Sequence, residues 1–284
     1  MDTKITIADL LDARRQNRKI AAVSCYDYTT AQLISQTDVQ MILVGDSAAE
    51  VVLGFDSTLP ATMDFMVTIT AAVRRGAPNV FLVADMPFLS YQIGQIEAVK
   101  NAGRFVVEAG AQMVKIEATG AYLNVIKAVS DAGIAVMAHI GIRPQSIGKI
   151  GRFKAEATTA EIAAEMVSLA EQMVDSGAVS LLIEGTAAEV TEIITKRCEV
   201  PVIGCGSGPG CDGQILIAPD ILGLTQGPSP KFAKSYGNLA KETIEAFNAY
   251  AKEVQSSQYP DTKHSYHMKS GELERLQKLL KDKT

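Results

Sequence analysis

Residues 113–139 read MVKIEATGAYLNVIKAVSDAGIAVMAH. A short apolar run, 113–116, ends in a polar turn flanked by Lys115 and Glu117. A helix-compatible stretch, 121–132, follows and stops at Gly133, a residue suited to a helix C-terminus. A second apolar run, 134–138, then ends on His139. Short runs rich in Val, Ile and Leu are what parallel strands buried on both faces require. Working outward, the same unit recurs along the chain. Apolar runs fall at 20–23, 41–44, 80–84, 113–116, 134–138, 181–183, 200–203 and 215–218. Amphipathic stretches separate most of them, at 30–36, 95–109, 121–132, 159–176 and 187–196. Alternating strands and helices give either a doubly wound sheet or a barrel. Eight runs in 284 residues predict an α/β fold of the (β/α)8 TIM-barrel kind. The eighth run follows the seventh with no helix between them, so it is the weakest of the set.

Bulk composition narrows the class. The chain is 47% hydrophobic and carries a net charge of -5, with no basic patch, so nucleic acid is not an expected partner. No apolar run approaches the roughly 20 residues of a membrane helix. Cys25, Cys198, Cys205 and Cys211 match no paired zinc spacing. They read as reduced thiols, and with no apolar leader at the N-terminus they indicate a cytoplasmic protein. Residues 1–267 are expected to form one catalytic barrel domain. Residues 268–284 form a charged helical extension, in which Leu273, Leu276, Leu279 and Leu280 are set among residues such as Glu272, Arg275, Lys281 and Lys283.

In a barrel, residues at the C-terminal ends of strands line the active site. Here those ends carry Asp27, Asp46, Asp85, Lys115, Glu117, His139 and Glu184. Charges pointing into one closed mouth must be paired or metal-bound. Asp46, Asp85 and Glu117 form an all-oxygen set that suits Mg²⁺; the alternative is a salt-bridge network closed by Lys115 or an arginine. His139 is a ligand, a proton relay or simply hydrogen-bonded. Glu184 follows Leu181-Leu182-Ile183, and a poorly solvated carboxyl there suits a general base; the alternative is an outward Glu paired with a helix lysine. The glycine-rich stretch 204–210 lies where many barrels hold phosphate, with no Lys or Arg directly after it.

A run of ordered motifs resembles the ketopantoate hydroxymethyltransferase family. They are Val44-Gly45-Asp46-Ser47, Gly54-Phe55-Asp56-Ser57-Thr58-Leu59-Pro60, Ala84-Asp85-Met86-Pro87-Phe88 and Met113-Val114-Lys115-Ile116-Glu117. His139-Ile140-Gly141 with Pro144-Gln145-Ser146, Asp212-Gly213-Gln214-Ile215-Leu216 and Pro230-Lys231-Phe232-Ala233-Lys234 continue the series. The family belongs to the phosphoenolpyruvate mutase and isocitrate lyase-like barrels. The resemblance implies transfer of a one-carbon unit from 5,10-methylenetetrahydrofolate to 3-methyl-2-oxobutanoate, giving 2-dehydropantoate for pantothenate biosynthesis. It implies Mg²⁺ on Asp46 and Asp85, with Glu117 close in or just behind. It further implies substrate contacts from Asp46, Ser47, Asp85, Lys115 and His139, Glu184 as the base, and a homodecamer. The chain departs from the family pattern at Phe55, at Ala48-Ala49-Glu50, at Gly204-Cys205-Gly206-Ser207-Gly208 and in the tail after His267. A carbon–carbon lyase of the same superfamily is the second enzyme class considered. Its usual Lys-Lys-Cys-Gly-His-type loop is missing from this chain.

Overall fold

The computed structural model describes residues 3–227 and 230–282. Eight parallel strands run in chain order around a closed barrel. They are β1 (Ile20–Ser24), β2 (Met41–Val44), β3 (Phe81–Asp85), β4 (Met113–Glu117), β5 (Val136–Gly141), β6 (Ser180–Glu184), β7 (Val202–Cys205) and β8 (Gly213–Ile217). The predicted barrel is therefore the observed one. β8 closes the ring, pairing Ile20 with Gly213 through Ser24 with Ile217 on β1, and it follows β7 through a loop that contains no helix.

The side-chain period of two divides each strand between two cores. Ile42, Val44, Leu82, Ala84, Val114, Ile116, Ala138 and Ile183 face the surrounding helices. Met41, Leu43, Phe81, Val83, Met113, Met137, Leu182, Ile203 and Ile215 fill the barrel interior. Leu10, on a helix Ile7–Arg15 that the sequence reading does not single out, plugs the lower end of that interior. Its start is marked by a capping box, in which Thr6 N–H donates to the Asp9 carboxylate at 2.7 Å.

Several strands run one to three residues past their apolar stretches. Asp85, Glu117, His139 and Glu184 are thus strand residues, not turn residues. The ladder continues through them, pairing Asp85 with Lys115, Glu117 with His139 and Gly141 with Glu184. Polar groups at these positions are held by sheet backbone, so their directions are set by the pleat.

The eighth outer layer is thin. After β8 comes only the five-residue helix Ala218–Leu222, and Ala21 and Gln214 on the neighbouring strands are exposed. The helix Leu239–Gln255 buries none of its residues, leaving Ile244, Phe247 and Tyr250 in solvent. The expected charged helix is present at Glu272–Lys281 and is also exposed. Lys283 lies outside the described residues. Among the described residues no helix is long and apolar enough to cross a membrane.

Gly141 joins this frame to the polar layer. Its φ is +94°, and a Cβ there would stand 2.1 Å from the Glu184 carbonyl oxygen. Gly141→Ala is expected to cost on the order of 2 kcal/mol or more, through strain at a left-handed position. The shift in the urea midpoint measures it.

Candidate active site

Above the apolar interior, the inward positions become polar. Met113 gives way to Lys115, Met137 to His139, Leu182 to Glu184 and Ile203 to Cys205. Together with Asp46, Ser47 and Asp85 these side chains line a cavity of about 340 Å³ at the C-terminal mouth. Leu43, Leu182 and Ile215 also line it. Phe153 and Phe232 contribute apolar surface from the loops.

Lys115 and Asp85 form the central pair, with Nζ 2.8 Å from Oδ2 and both side chains buried. The same Asp85 oxygen accepts the Asp46 backbone N–H at 3.1 Å. Asp85 Oδ1 is buried with no hydrogen-bond partner. Asp46 follows β2 in a tight turn where a Cβ on Gly45 would press on Ser47 Oγ at 3.0 Å. The Asp46 Oδ2 atom accepts from Gln145 Nε2 at 2.9 Å. Ser47 Oγ is paired with the buried Tyr26 hydroxyl at 2.7 Å.

On its other side, Lys115 Nζ lies 3.2 Å from His139 Nδ1. An ammonium can only donate, so Nδ1 accepts and a neutral imidazole carries its proton on Nε2. That nitrogen lies 3.4 Å from Glu184 Oε2, outside hydrogen-bond geometry, and is otherwise buried without a partner. Burial, reinforced by Lys115, pushes the His139 value down and keeps the ring neutral. Burial works against the charge on Lys115, but Asp85, Asp46 and Glu117 outweigh it and hold the ammonium above the usual lysine range. Glu184 is the more open carboxyl, with 23% of its side chain exposed against 1% for Asp85. Burial pushes the Cys205 thiol up, with Glu184 adding to it, so that sulfur stays protonated and is not a nucleophile.

Glu117 is placed differently from its companions. Both of its oxygens face the Gln145 backbone N–H, at 3.1 and 3.2 Å, and the side chain stands behind the cavity wall. Among the described residues no three His, Cys, Asp or Glu side chains converge as a ready-made metal cage. The donor set nonetheless fits a divalent cation. Asp46, Asp85, Glu184 and the exposed Glu50 face one ammonium and one neutral imidazole. Burial, against the pull of Lys115, pushes the Asp85 carboxyl well up, and a cation bound beside it would offset the cost of burying its charge. Mg²⁺ characteristically binds through one or two carboxylates and completes its octahedron with water and substrate oxygens. Asp46 and Asp85, with the unpartnered Asp85 Oδ1, supply that pattern.

The structure brings Asp46, Ser47, Asp85, Lys115, His139 and Glu184 to one cavity, as their positions at strand ends predict. The glycine-rich loop after β7 serves packing. A Cβ on Gly208 would stand 2.3 Å from Ala188, and one on Gly210 would stand 2.8 Å from Glu192. The loop's only hydroxyl, Ser207, donates internally to the Ile183 carbonyl at 2.8 Å. Sequence reasoning assigns no role to Thr58 or Gln145, which lie in turns of no regular period, or to Asp220, on the short helix Ala218–Leu222.

The ketopantoate hydroxymethyltransferase family model matches residues 4–262. The chain belongs to the ketopantoate hydroxymethyltransferase family. It is 42% identical to the 3-methyl-2-oxobutanoate hydroxymethyltransferase of Thermoanaerobacter sp. (strain X514) over 272 residues, spanning 96% of this chain and 99% of the relative. It is 43% identical to the enzyme of that name from Clostridium acetobutylicum over 263 residues, 93% and 95% of the two chains. Among solved structures, 2,3-dimethylmalate lyase, a phosphoenolpyruvate mutase/isocitrate lyase superfamily member, superposes with a TM-score of 0.59 at 18% identity over 92% of each chain. A phosphonopyruvate hydrolase gives 0.58 at 13%, covering 92% of this chain and 93% of the other. At such identities these two likenesses describe the barrel alone.

Burial, opposed by Lys115 and helped by Asp46, pushes the Glu117 carboxyl up to about 8 from an ordinary 4.5. The folded chain then keeps a proton that the unfolded chain has lost above about 4.5. Glu117 therefore supports stability below that value, and its contribution is lost as pH rises toward 8. Metal-free protein is expected to unfold at lower urea at about pH 8.5 than at about pH 6. Glu117→Gln should flatten that slope.

Proposed function

We propose that this enzyme transfers a hydroxymethyl group from 5,10-methylenetetrahydrofolate to 3-methyl-2-oxobutanoate, giving 2-dehydropantoate in pantothenate biosynthesis. Support comes above all from one observation. A family match over nearly the whole chain coincides with Lys115, His139 and Glu184 facing Asp46 and Asp85 in one cavity. The cavity volume suits a small oxo acid together with the reactive end of a second substrate.

Lys115, charged and buried, and Ser47, fixed by Tyr26, would grip the oxo-acid carboxylate. Asp46 and Asp85 would hold Mg²⁺, with Glu117 braced behind them. When bound, the cation would supply positive charge against the enolate that develops beside the ketone. Glu184, partly exposed to the cavity, takes the proton from C3 of the oxo acid. His139 steadies that carboxylate by presenting its Nε2 proton. The C3 carbanion then attacks the folate methylene carbon. One carbon–carbon bond forms and both carbon–nitrogen bonds to folate break; water supplies the new hydroxyl and one proton, and the proton that Glu184 took from C3 supplies the other, so that both nitrogens leave protonated. Leu182, Ile215 and Phe232 keep bulk water from the carbanion.

The enzyme is further proposed to act in the cytoplasm as a homo-oligomer, a decamer by family resemblance. Four free cysteines and the exposed apolar residues of Leu239–Gln255 are consistent with that.

Proton–deuterium exchange at C3 of 3-methyl-2-oxobutanoate in D₂O, followed by NMR, tests the first half of the reaction. Exchange is expected with Mg²⁺ and is expected to vanish on chelation. Glu184→Gln should lower it by about 10²- to 10⁴-fold while metal binding is retained. Near-full exchange in that variant rules out Glu184 as the base. Asp85→Ala should weaken Mg²⁺ binding measured by calorimetry, and an unchanged affinity removes Asp85 from the ligand set.

A further inference from the structure

Gln145 is 5% exposed and lies in the short turn Pro144–Ser146 that follows β5. Each end of its amide is chemically constrained. Nε2 stands between two groups that can only accept, Asp46 Oδ2 at 2.9 Å and the Met86 carbonyl oxygen at 3.0 Å. Oε1 accepts from Gln92 Nε2 at 3.0 Å. It also faces the Tyr91 hydroxyl at 2.9 Å, whose one hydrogen is divided between Oε1 and the Glu117 carbonyl oxygen 3.0 Å away. A flipped amide would set oxygen against a carboxylate and a carbonyl, so one orientation survives. The backbone N–H of the same residue donates to the Glu117 carboxylate at 3.1 and 3.2 Å. Gln145 is thereby tied to two acids from different strand ends.

We infer that Gln145 is a positioning residue that fixes which oxygen of Asp46 is presented to the cavity. With Oδ2 engaged by the amide, Oδ1 is the Asp46 oxygen left for a ligand in the cavity that Asp46 and Asp85 both line. The chemistry of the group matters as much as its place. A lysine or arginine here would also grip Asp46, but would cancel the charge a divalent cation needs. A neutral amide orients the carboxylate and leaves that charge intact, and it separates Asp46 from Glu117 with a dipole instead of a competing ion. Glu117 then acts through Gln145, holding the turn in place from behind the wall. Outer partners that orient metal-binding carboxylates typically change affinity by about 10- to 100-fold when removed.

The inference rests on the metal-assisted reading above, and Mn²⁺ titration followed by electron paramagnetic resonance separates the two. Gln145→Met keeps length and flexibility without hydrogen bonds. Gln145→Asn keeps an amide in the same turn, one methylene too short to reach Asp46. Both variants are expected to bind Mn²⁺ about tenfold or more weakly. Their far-ultraviolet circular dichroism should be unchanged, and oxo-acid proton exchange should recover to within a few-fold at saturating Mn²⁺. Binding within twofold of wild type in a folded variant overturns the role of Gln145 and leaves the metal reading standing. So does an exchange loss that saturating Mn²⁺ does not repair. A wild-type protein that binds no Mn²⁺ overturns the metal reading, and the inference falls with it.

Discussion

A single buried ammonium holds the active mouth of this barrel together. Lys115 stands 2.8 Å from Asp85 and 3.2 Å from His139, and so touches both halves of the site at once. On one side it offsets the carboxylates that would receive a cation. On the other it sets the tautomer of His139 and hence the direction of the proton offered to Glu184. Removing one partner of such a pair leaves a desolvated charge, at a cost of roughly 3–5 kcal/mol. The ion pair is therefore better understood as an organiser of the mouth than as a source of stability. Charge count and side-chain direction are both consequences of it.

The sheet gives that ammonium its fixed address. Lys115 occupies the inward position directly above Met113 and is itself paired on both sides, with Asp85 and with Met137. The apolar interior below and the polar layer above differ by one turn of the pleat and share the same backbone. Chemistry is thereby placed on the most rigid part of the fold, while Asp46, Ser47 and Gln145 approach from turns that are pinned to it by hydrogen bonds.

Much of this was legible from residues alone, for physical reasons that differ by element. Buried parallel strands leave continuous apolar runs, so all eight could be found, and the ionisable residues ending them had to converge once the ring was closed. Strand ends were read short because Asp85, Glu117 and Glu184 look like turn residues, whereas the ladder carries on through them. Gln145 stood only inside the motif Pro144-Gln145-Ser146 and was given no role, because its function depends on partners at Asp46, Met86 and Tyr91-Gln92, and one glutamine in a turn has no periodicity to betray it. The same applies to Glu117. Its residue type signals a ligand, but the direction of its carboxylate is decided by a backbone N–H in a distant turn. The helix Leu239–Gln255 was not singled out from the sequence, and its apolar positions are left exposed.

The way the ring is sealed has a consequence for how it is built. β1 is made first, yet its second neighbour is β8, and the pairing of Ile20 with Gly213 spans most of the polypeptide. During synthesis the strand that carries Ser24 must wait, one edge unpaired, until the last strand has emerged. Long-range parallel pairing of this kind slows folding and leaves an edge open to the wrong partner. The helix Ile7–Arg15, which precedes every strand in the chain, places Leu10 in the interior from below. The order of the strands in the gene is thus also the order in which the cavity acquires its walls, with the cation before the base and the seal last.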